Sequence, residues 1–299
     1  MNILVVGSIA LDTVETPYGT VTDIPGGSAL YFSSAASLFA PVNIVGVIGS
    51  DFNLNQLQFN KNRPINFDGI YIEPGKTFRW GGRYHKNLNT RDTLFTHLNV
   101  FENFKPKIPG SYRKSELVFL ANIDPNLQLQ VLDQIEKPRL VVMDTMNYWI
   151  RRTRDTLIHV IRRCDVLILN DEEIRELTSQ DNLVIAGKKI LELGPRYLVI
   201  KKGEHGAILL SRDIYFAVPA FPLEQVVDPT GAGDSFAGGF VGYLAECGQF
   251  SKNNMRKALV YGTVIASFNV EDFSFKKLLS LSQITLQERY KEFKRITTY

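Results

Sequence analysis

The chain has 299 residues, with 34 Lys and Arg against 31 Asp and Glu, a formal net charge of +3 that lacks the basic excess typical of nucleic-acid-binding proteins. Hydrophobic residues make up 44% and charged residues 22%, which excludes a disordered, collagenous or coiled-coil chain. Two cysteines are too few for a disulfide framework. No apolar run reaches the ~18 residues of a membrane-spanning helix, and the first residues lack the basic segment of a secretory signal. We therefore expect a cytoplasmic protein of enzyme size that binds neither nucleic acid nor membrane.

Apolar runs of strand length alternate with amphipathic stretches of helical length from residue 3 to residue 201. The runs are continuous, without polar residues at alternate positions, which is typical of parallel strands covered on both faces. A helical stretch between two such strands forms a βαβ unit, so we predict an α/β fold with a doubly wound, mostly parallel sheet flanked by helices. The predicted strands are 3–7, 42–48, 117–121, 140–144, 166–170 and 197–201, and the predicted helices are 29–39, 127–136, 154–163, 172–177 and 183–193.

Other parts of the chain depart from this alternation. Residues 207–218 predict an antiparallel hairpin added to the sheet, and residues 235–299 are mostly helical in pattern. Segments at about 12–23 and 68–100 are rich in Gly, Thr and aromatic residues and have a β-like pattern. Inserted segments of this kind often cover active sites. We therefore predict that they form a small β-sheet lid on a single domain of residues 1–299, with an edge extension of the main sheet as the alternative.

Three common nucleotide and metal motifs are absent. The first strand is followed by a single glycine, Gly7, where a dinucleotide-binding fingerprint needs three. Gly75-Lys76-Thr77 has the end of a P-loop, but Ile70 stands in place of its first glycine. The four histidines have no metal-ligand spacing and no cysteine pair near them, which argues against a zinc site.

The segment Asp228-Pro229-Thr230-Gly231-Ala232-Gly233-Asp234 is a small-residue turn that opens a helix. The bare backbone of Gly231, Ala232 and Gly233 lets their N–H groups converge on an anion at the positive end of the helix dipole. Asp234 lies in the first turn, where a carboxylate can take a proton from an attacking alcohol while the amides hold a transferred phosphoryl group. The alternative is a capping aspartate with a purely structural role.

This segment closely resembles the C-terminal signature of the ribokinase-like (PfkB) carbohydrate kinases. Further elements in the right order extend the resemblance over nearly the whole chain: Asp12 with the Gly26-Gly27 pair, the Asn170-Asp171-Glu172-Glu173 run, and the Lys202-Gly203-Glu204-His205-Gly206 loop. The resemblance implies a ribokinase-like fold and an ATP-dependent kinase that phosphorylates a hydroxyl of a small sugar or sugar-like substrate.

The resemblance also implies roles for single residues. Asp234 is the base, and the amides from Gly231 to Gly233 form the anion hole. Asp12 binds substrate hydroxyls, and Gly26 and Gly27 belong to the same substrate-binding site. Glu173 orders Mg²⁺ through water, because Mg²⁺ keeps much of its hydration, and the lid closes over the sugar and excludes water. The implied nucleotide-binding residues are Asn170, Lys202, Gly203, Gly206 and Thr230.

Two departures from the family's pattern concern the substrate, since Ala10 and Tyr31 stand where sugar-specific members usually carry Asn. The standard ribose contacts are therefore in doubt, and Tyr31 becomes a candidate substrate contact. Asp144 and Asn147 follow a predicted strand, at the edge where open α/β sheets bind ligands, and are further candidates. Aromatic residues able to stack on a base or a sugar face are Tyr31, Trp80, Tyr84, Tyr148 and Trp149, with core packing as the alternative. Arg79, Arg83 and Arg91 in the lid are candidate phosphate contacts, with surface solvation as the alternative.

The sequence leaves three functions open. A sugar kinase is slightly ahead of a nucleoside kinase of the same family, and a nucleotide-binding sensor without turnover is the alternative from another class. An intact Asp234 argues against the sensor, because a site without turnover has no need of a base. Family members often pair through their lids, so a homodimer is compatible with the chain.

Overall fold

A computed structural model describes residues 1–55, 57 and 63–298. None of the helices in this part of the chain is long and apolar enough to cross a membrane. The strands are Ile3–Val6 (β1), Ala10–Thr16 (β2), Gly19–Gly26 (β3), Val42–Gly49 (β4), Ile65–Glu73 (β5), Phe78–Tyr84 (β6), Arg91–His97 (β7), Leu117–Leu120 (β8), Leu140–Asp144 (β9), Val166–Asn170 (β10), Tyr197–Lys201 (β11), Ala207–Leu210 (β12) and Tyr215–Val218 (β13). The α-helices are Ser28–Ala36 (α1), Pro125–Leu132 (α2), Asn147–Arg152 (α3), Arg154–Ile161 (α4), Asp171–Thr178 (α5), Leu183–Leu193 (α6), Ala232–Cys247 (α7), Lys252–Asn269 (α8), Lys276–Ser280 (α9) and Gln283–Thr297 (α10).

The main sheet has nine strands in the order β13-β12-β11-β10-β9-β8-β1-β4-β5. Every neighbouring pair from β11 to β5 is parallel, and β12 and β13 form an antiparallel hairpin at one edge. The chain extends the sheet from β1 in one direction with β4 and β5, and in the other with β8 to β13. The predicted doubly wound, mostly parallel sheet with helices around it is therefore confirmed.

Alternate residues of each central strand enter two hydrophobic cores on opposite faces of the main sheet. Ile3 and Val5 of β1 belong to the core that contains α1, α7 and α8, whereas Leu4 and Val6 belong to the core that contains α2, α4, α5 and α6. All four side chains are fully buried. This two-sided burial is why the strand carries no polar residue at alternate positions.

A separate sheet of four strands has the order β3-β2-β6-β7. The strand β2 pairs antiparallel with β3 and parallel with β6, which pairs antiparallel with β7. This sheet holds most of the two segments for which a lid is predicted, 12–23 and 68–100. Residues 68–73 are the exception, because they lie in β5 and pair with β4 at the edge of the main sheet. As an edge strand with much of its length partly exposed, β5 lacks the continuous apolar run of the other parallel strands.

Smaller differences from the predicted elements have local causes. The short helix α3 was not predicted, because its six residues are too few to show a periodic pattern. The helix α2 begins two residues before the predicted start, since the Asp124 side chain accepts a hydrogen bond from Asn126 N and caps the helix with Pro125 in its first turn. Within the predicted helical region 235–299, residue 299 lies outside the described residues.

Glycines allow α7 to pack closely on its neighbours. A Cβ on Gly238 would lie 2.4 Å from Phe32 O of α1, and one on Gly239 would lie 2.9 Å from the side chain of Ile265 in α8. Both distances are shorter than a van der Waals contact, so a larger residue would push the helices apart. The packing fixes the N-terminus of α7 against α1.

Candidate active site

The site lies where the carboxyl ends of three neighbouring strands meet the N-terminus of α7. Asp144, Asn170 and Lys201 are the last residues of β9, β10 and β11. Parallel strands present their carboxyl ends at one edge of the sheet, which is where open α/β folds bind ligands. Three residues that are far apart in the chain are thereby brought together.

An ion pair between Lys201 and Asp144 lies at the centre of this edge. Lys201 Nζ donates to Asp144 Oδ2 at 2.9 Å, and the two side chains are 18% and 5% exposed. Burial lowers the pKa of Lys201, but the carboxylates of Asp144 and Glu173 outweigh that effect and raise it. A Cβ on Gly233 would lie 3.0 Å from Lys201 Nζ. The structure therefore places a charged ammonium group against the first turn of α7.

Asp234, in that first turn, has a partly buried carboxylate beside the ion pair. Burial raises the pKa of Asp234 to about 7, with Asp144 adding to the shift and Lys201 opposing it. A general base works best when its pKa lies near the operating pH. The environment of Asp234 is thus suited to accepting a proton at neutral pH, as a purely capping aspartate would not need to be.

The turn before Asp234 has the backbone shape of an anion-binding loop. Gly231 is the N-cap of α7 with φ 72°, in the left-handed region, and a Cβ there would lie 2.1 Å from the ring of Tyr31. The amide of Ala232 donates to Pro229 O at 3.2 Å, so it is already engaged. Amides in a first helical turn have no intrahelical acceptor, which leaves those of Gly233 and Asp234 for an anion.

Hydrogen bonds accepted by Asp228 and donated by Asn269 stabilise this turn. Asp228 is fully buried and accepts from Thr230 N at 2.8 Å and from Ser274 N at 3.1 Å. The Asn269 side chain donates to Thr230 O at 2.9 Å. The hydroxyl of Thr230, a residue predicted to bind nucleotide, donates to the hydroxyl of Tyr84 in β6 at 3.2 Å. Thr230 thus connects this turn to the four-stranded sheet.

Asp12 of β2 lies against the di-glycine pair, as its predicted role requires. A Cβ on Gly26 would overlap Asp12 Oδ2, at 1.9 Å, and the amide of Gly27 donates to the same carboxylate. Burial and the nearby Asp228 raise the pKa of Asp12 to about 8, although the hydrogen bond from Gly27 opposes the shift. Hydroxyl groups of a substrate that donate to this carboxylate would stabilise its charged form.

Tyr31 packs against the turn before Asp234, with 1% of its surface exposed. Its hydroxyl is buried and has no hydrogen-bond partner in the part of the chain that the structure describes. Burial and then the nearby Asp12 raise the pKa of this hydroxyl. The ring fills space next to Gly231 while the hydroxyl points toward the Asp12 side of the site, so the substrate contact predicted for Tyr31 can involve its hydroxyl alone.

Asn170 and Glu173 form a capping box at the start of α5. Asn170 Oδ1 accepts from Glu173 N at 2.8 Å, and Glu173 Oε2 accepts from Asn170 N at 2.7 Å. Burial raises the pKa of Glu173 to about 7, with Lys201 opposing the shift and Asp144 adding to it.

The surroundings of Glu173 fit a hydrated Mg²⁺. No group of three His, Cys, Asp or Glu side chains able to hold a metal occurs among the described residues. Mg²⁺ does not need such a group, since it is usually bound by one or two carboxylates, by waters and by substrate phosphates. The repulsion between Glu173 and Asp144 that raises the pKa of Glu173 would be relieved by a cation beside them.

Two residues predicted to bind the acceptor substrate have other partners. Asp144 is paired with Lys201, next to the first turn of α7 and not beside Asp12. Asn147 donates to Glu176 Oε2 of α5 at 2.6 Å, and Arg151 holds the other oxygen of that carboxylate. These contacts join α3, which follows the loop after Asp144, to α5.

The loop predicted to bind nucleotide joins β11 to β12. Gly206 has φ 87°, and a Cβ there would lie 2.0 Å from Val218 O, so this glycine is required by the fold. Gly203 has φ 52° and no atom near the position of a Cβ, and Lys202 N donates to Gly206 O at 2.8 Å. The tip of the β6–β7 hairpin reaches this loop, where Asn89 Nδ2 donates to Glu204 Oε1 at 2.8 Å.

Sequence reasoning missed Lys201 as a residue of the site, and it missed the contact of Tyr84 with Thr230. Lys201 reads in the sequence as a solvated basic group at a strand end. A usable signal was its position, since a lysine that closes a buried parallel strand lies at the ligand-binding edge. The contact of Tyr84 depends on where the four-stranded sheet lies over the main sheet, which no local pattern reveals.

Known proteins resemble this chain over most of its length. A model of the pfkB family of carbohydrate kinases matches residues 2–277. A cytidine kinase of Thermococcus kodakarensis is 30% identical over 272 residues, which are 87% of this chain and 96% of the relative. A nucleoside kinase of Methanocaldococcus jannaschii is 26% identical over 283 residues, 90% of each chain. A crystal structure of the nucleoside kinase from that organism matches with a TM-score of 0.79 and 23% identity, over 97% of this chain and 98% of the other.

The fold, the order of the motifs and these similarities agree with one another. The family model spans nearly the whole chain, and the structural match extends over the four-stranded sheet as well as the main sheet. The chain therefore belongs to the pfkB family of carbohydrate kinases, phosphotransferases of ribokinase-like fold whose acceptor is a hydroxyl group of a sugar or a nucleoside.

Proposed function

We propose that this chain is an ATP-dependent nucleoside kinase, which transfers the γ-phosphoryl group of ATP to a hydroxyl of the nucleoside's sugar. The observation that carries the chemistry is the Asp234 carboxylate, with a pKa of about 7, in the first turn of α7 beside Lys201. A carboxylate that is half-protonated at neutral pH, next to free helix amides and a cation, is the arrangement that phosphoryl transfer to an alcohol requires.

Each group acts on a different atom of the reaction. Asp234 takes the proton from the acceptor hydroxyl as its oxygen attacks the γ-phosphorus, an effect of typically ~10²–10⁴-fold on rate. The amides at the N-terminus of α7 stabilise the negative charge that develops on the phosphoryl oxygens. Lys201, held by Asp144, neutralises the phosphate chain from the other side. Mg²⁺, held through water by Glu173, would supply further neutralisation of the phosphates.

Asp12 holds the acceptor for this attack. Its carboxylate lies on the side of the site away from Lys201, next to Gly27, and can accept hydrogen bonds from two neighbouring hydroxyls of a ribose ring. The four-stranded sheet that carries Asp12 also contacts the turn before Asp234, through Tyr84 and Thr230. This sheet is the lid in our proposal, and its position excludes water from the transferred group.

A nucleoside is preferred to a free sugar for two reasons. The cytidine kinase described above is 30% identical over 87% of this chain, whereas ribokinases of Lactococcus lactis and Bacillus subtilis with similar coverage are 26% and 28% identical. Trp80 is the direct neighbour of Asp12 across β2 and β6, so its indole lies on the same face of the lid as the carboxylate. A flat aromatic ring beside the ribose site suits a base, because aromatic rings stack favourably.

A coupled assay of ADP release tests the proposal with cytidine, uridine, adenosine, inosine, ribose and deoxyribose as acceptors. We expect kcat/KM for at least one nucleoside to exceed that for either free sugar by about tenfold or more, because binding of the base contributes to the transition state. A higher value for a free sugar would make the protein a sugar kinase of the same family. ATP binding by calorimetry without ADP release for any acceptor would indicate a sensor and refute a kinase.

A further inference from the structure

The β6–β7 hairpin of the lid carries three arginines with different surroundings. Arg79 is paired with Asp23 at 3.0 Å and with Asp51 at 2.8 Å. Arg83 is paired with Glu15 at 2.5 Å. Arg91 forms no ion pair with any residue that the structure describes. Its guanidinium group hydrogen-bonds the hydroxyl of Tyr84, but no carboxylate among the described residues neutralises its charge, so N–H donors remain for a ligand. The charges of the other two arginines are used within the lid and at its attachment.

The guanidinium group of Arg91 lies on the side of the lid that faces the site. Its central carbon is 5.0 Å from the centroid of the Trp80 ring, and Trp80 neighbours Asp12 in the sheet. Arg91 is also paired in register with Tyr84, whose hydroxyl bonds Thr230 at the anion-binding turn. The same cation lowers the pKa of Tyr84, against the larger effect of burial. Arg91 thus lies between the indole and a buried hydroxyl at the acceptor side.

We propose that Arg91 determines acceptor specificity by donating paired hydrogen bonds to the cytosine base of cytidine. This inference rests on the proposed nucleoside kinase function. A guanidinium group presents parallel N–H donors in a rigid fork. Cytosine offers two adjacent acceptors, its O2 and N3, to such a fork, whereas uracil and adenine each place a donor next to an acceptor on the same edge. Trp80 holds the guanidinium by a cation–π contact and contributes ring surface next to the base.

Arg91→Ala provides the test, with Arg83→Ala as the matched control on the same hairpin. Arg83 is 56% exposed and already bound to Glu15. We expect Arg91→Ala to raise KM for cytidine by roughly tenfold to a hundredfold, as for the loss of charged hydrogen bonds. KM for ATP and kcat/KM for ribose should stay within about twofold of the wild-type values, and the melting temperature should stay within about a degree. Arg91→Lys should show a similar loss for cytidine, because lysine keeps the charge but not the fork.

The preference among nucleosides gives the second measurement. Wild-type protein should favour cytidine over uridine and adenosine, and Arg91→Ala should reduce that preference to near unity. An unchanged KM for cytidine in Arg91→Ala overturns the proposal, as does an equal loss in Arg83→Ala. If KM for ATP rises and kcat/KM for ribose falls to a similar extent, Arg91 contacts phosphate and the proposal is also overturned. If the wild type phosphorylates no nucleoside, the proposed function itself fails, which separates the two failures.

Discussion

Replacing Asp234 by Asn removes the proposed base while keeping the shape of the first turn of α7. The loss of a general base typically lowers kcat by ~10²–10⁴-fold. Nucleotide binding should survive, since Lys201 and the helix amides remain in place. In the wild type, kcat/KM should rise with pH through about 7 and then level off, because Asp234 must be deprotonated to act. Glu173 has a similar pKa, so the Glu173→Gln variant should retain this limb of the profile.

The same substitution should stabilise the fold at pH 8. The pKa of Asp234 is raised from 3.8 to about 7, so the folded protein binds more protons than the unfolded chain between these values. The free energy of unfolding therefore falls as pH rises through this window. The difference between these two pKa values corresponds to at most ~4 kcal/mol. Because the carboxylate is partly exposed, we expect a gain of about 1–2 kcal/mol in Asp234→Asn at pH 8 and none at pH 4.

Urea unfolding at both pH values and ADP-release kinetics measure the two effects in one preparation. Calorimetry with ATP checks that the variant still binds nucleotide. Retention of more than about a tenth of the wild-type kcat would refute the base. A variant that is less stable than wild type at pH 8 would show that the carboxylate makes a favourable contact, contrary to the burial argument.

Three further substitutions test the remaining parts of the site. Asp12→Ala should lower kcat/KM for the acceptor by roughly ten- to a hundredfold with KM for ATP unchanged. If the KM for the acceptor and the KM for ATP both stay at their wild-type values, Asp12 has a structural role. Gly233→Val should lower kcat by about tenfold or more with little change in unfolding free energy, because its side chain displaces the flexible end of Lys201; Gly110→Val, where a Cβ meets no atom within 4 Å, is the control. Glu173→Gln should raise the Mg²⁺ concentration needed for half-maximal rate, whereas Glu172→Gln, its exposed neighbour, should not.

The sequence by itself determined the parts of the protein that depend on local chemistry. Buried strands such as β1 and β11 appear as continuous apolar runs because both of their faces are covered. The turn before α7 is recognisable because Gly231 needs a positive φ and because a helix N-terminus binds anions wherever it occurs. Asp12 and the Gly26-Gly27 pair likewise lie together as their motif implies, since β2 and β3 are neighbours in the chain and in the sheet.

Only the tertiary structure decided which distant side chains meet. Lys201 and Asp144 form a pair because the sheet places β11, β10 and β9 side by side, an order that no single segment encodes. The three lid arginines look alike in the sequence, yet the fold pairs Arg79 and Arg83 with carboxylates and sets Arg91 over Trp80. Residues 68–73 were predicted to lie in the lid but belong to the main sheet. Their position was missed because an edge strand that is partly exposed lacks the continuous apolar run of a buried strand. The local sequence pattern indicates which segments are buried and which form turns. The contacts between distant side chains depend on the order and register of the strands.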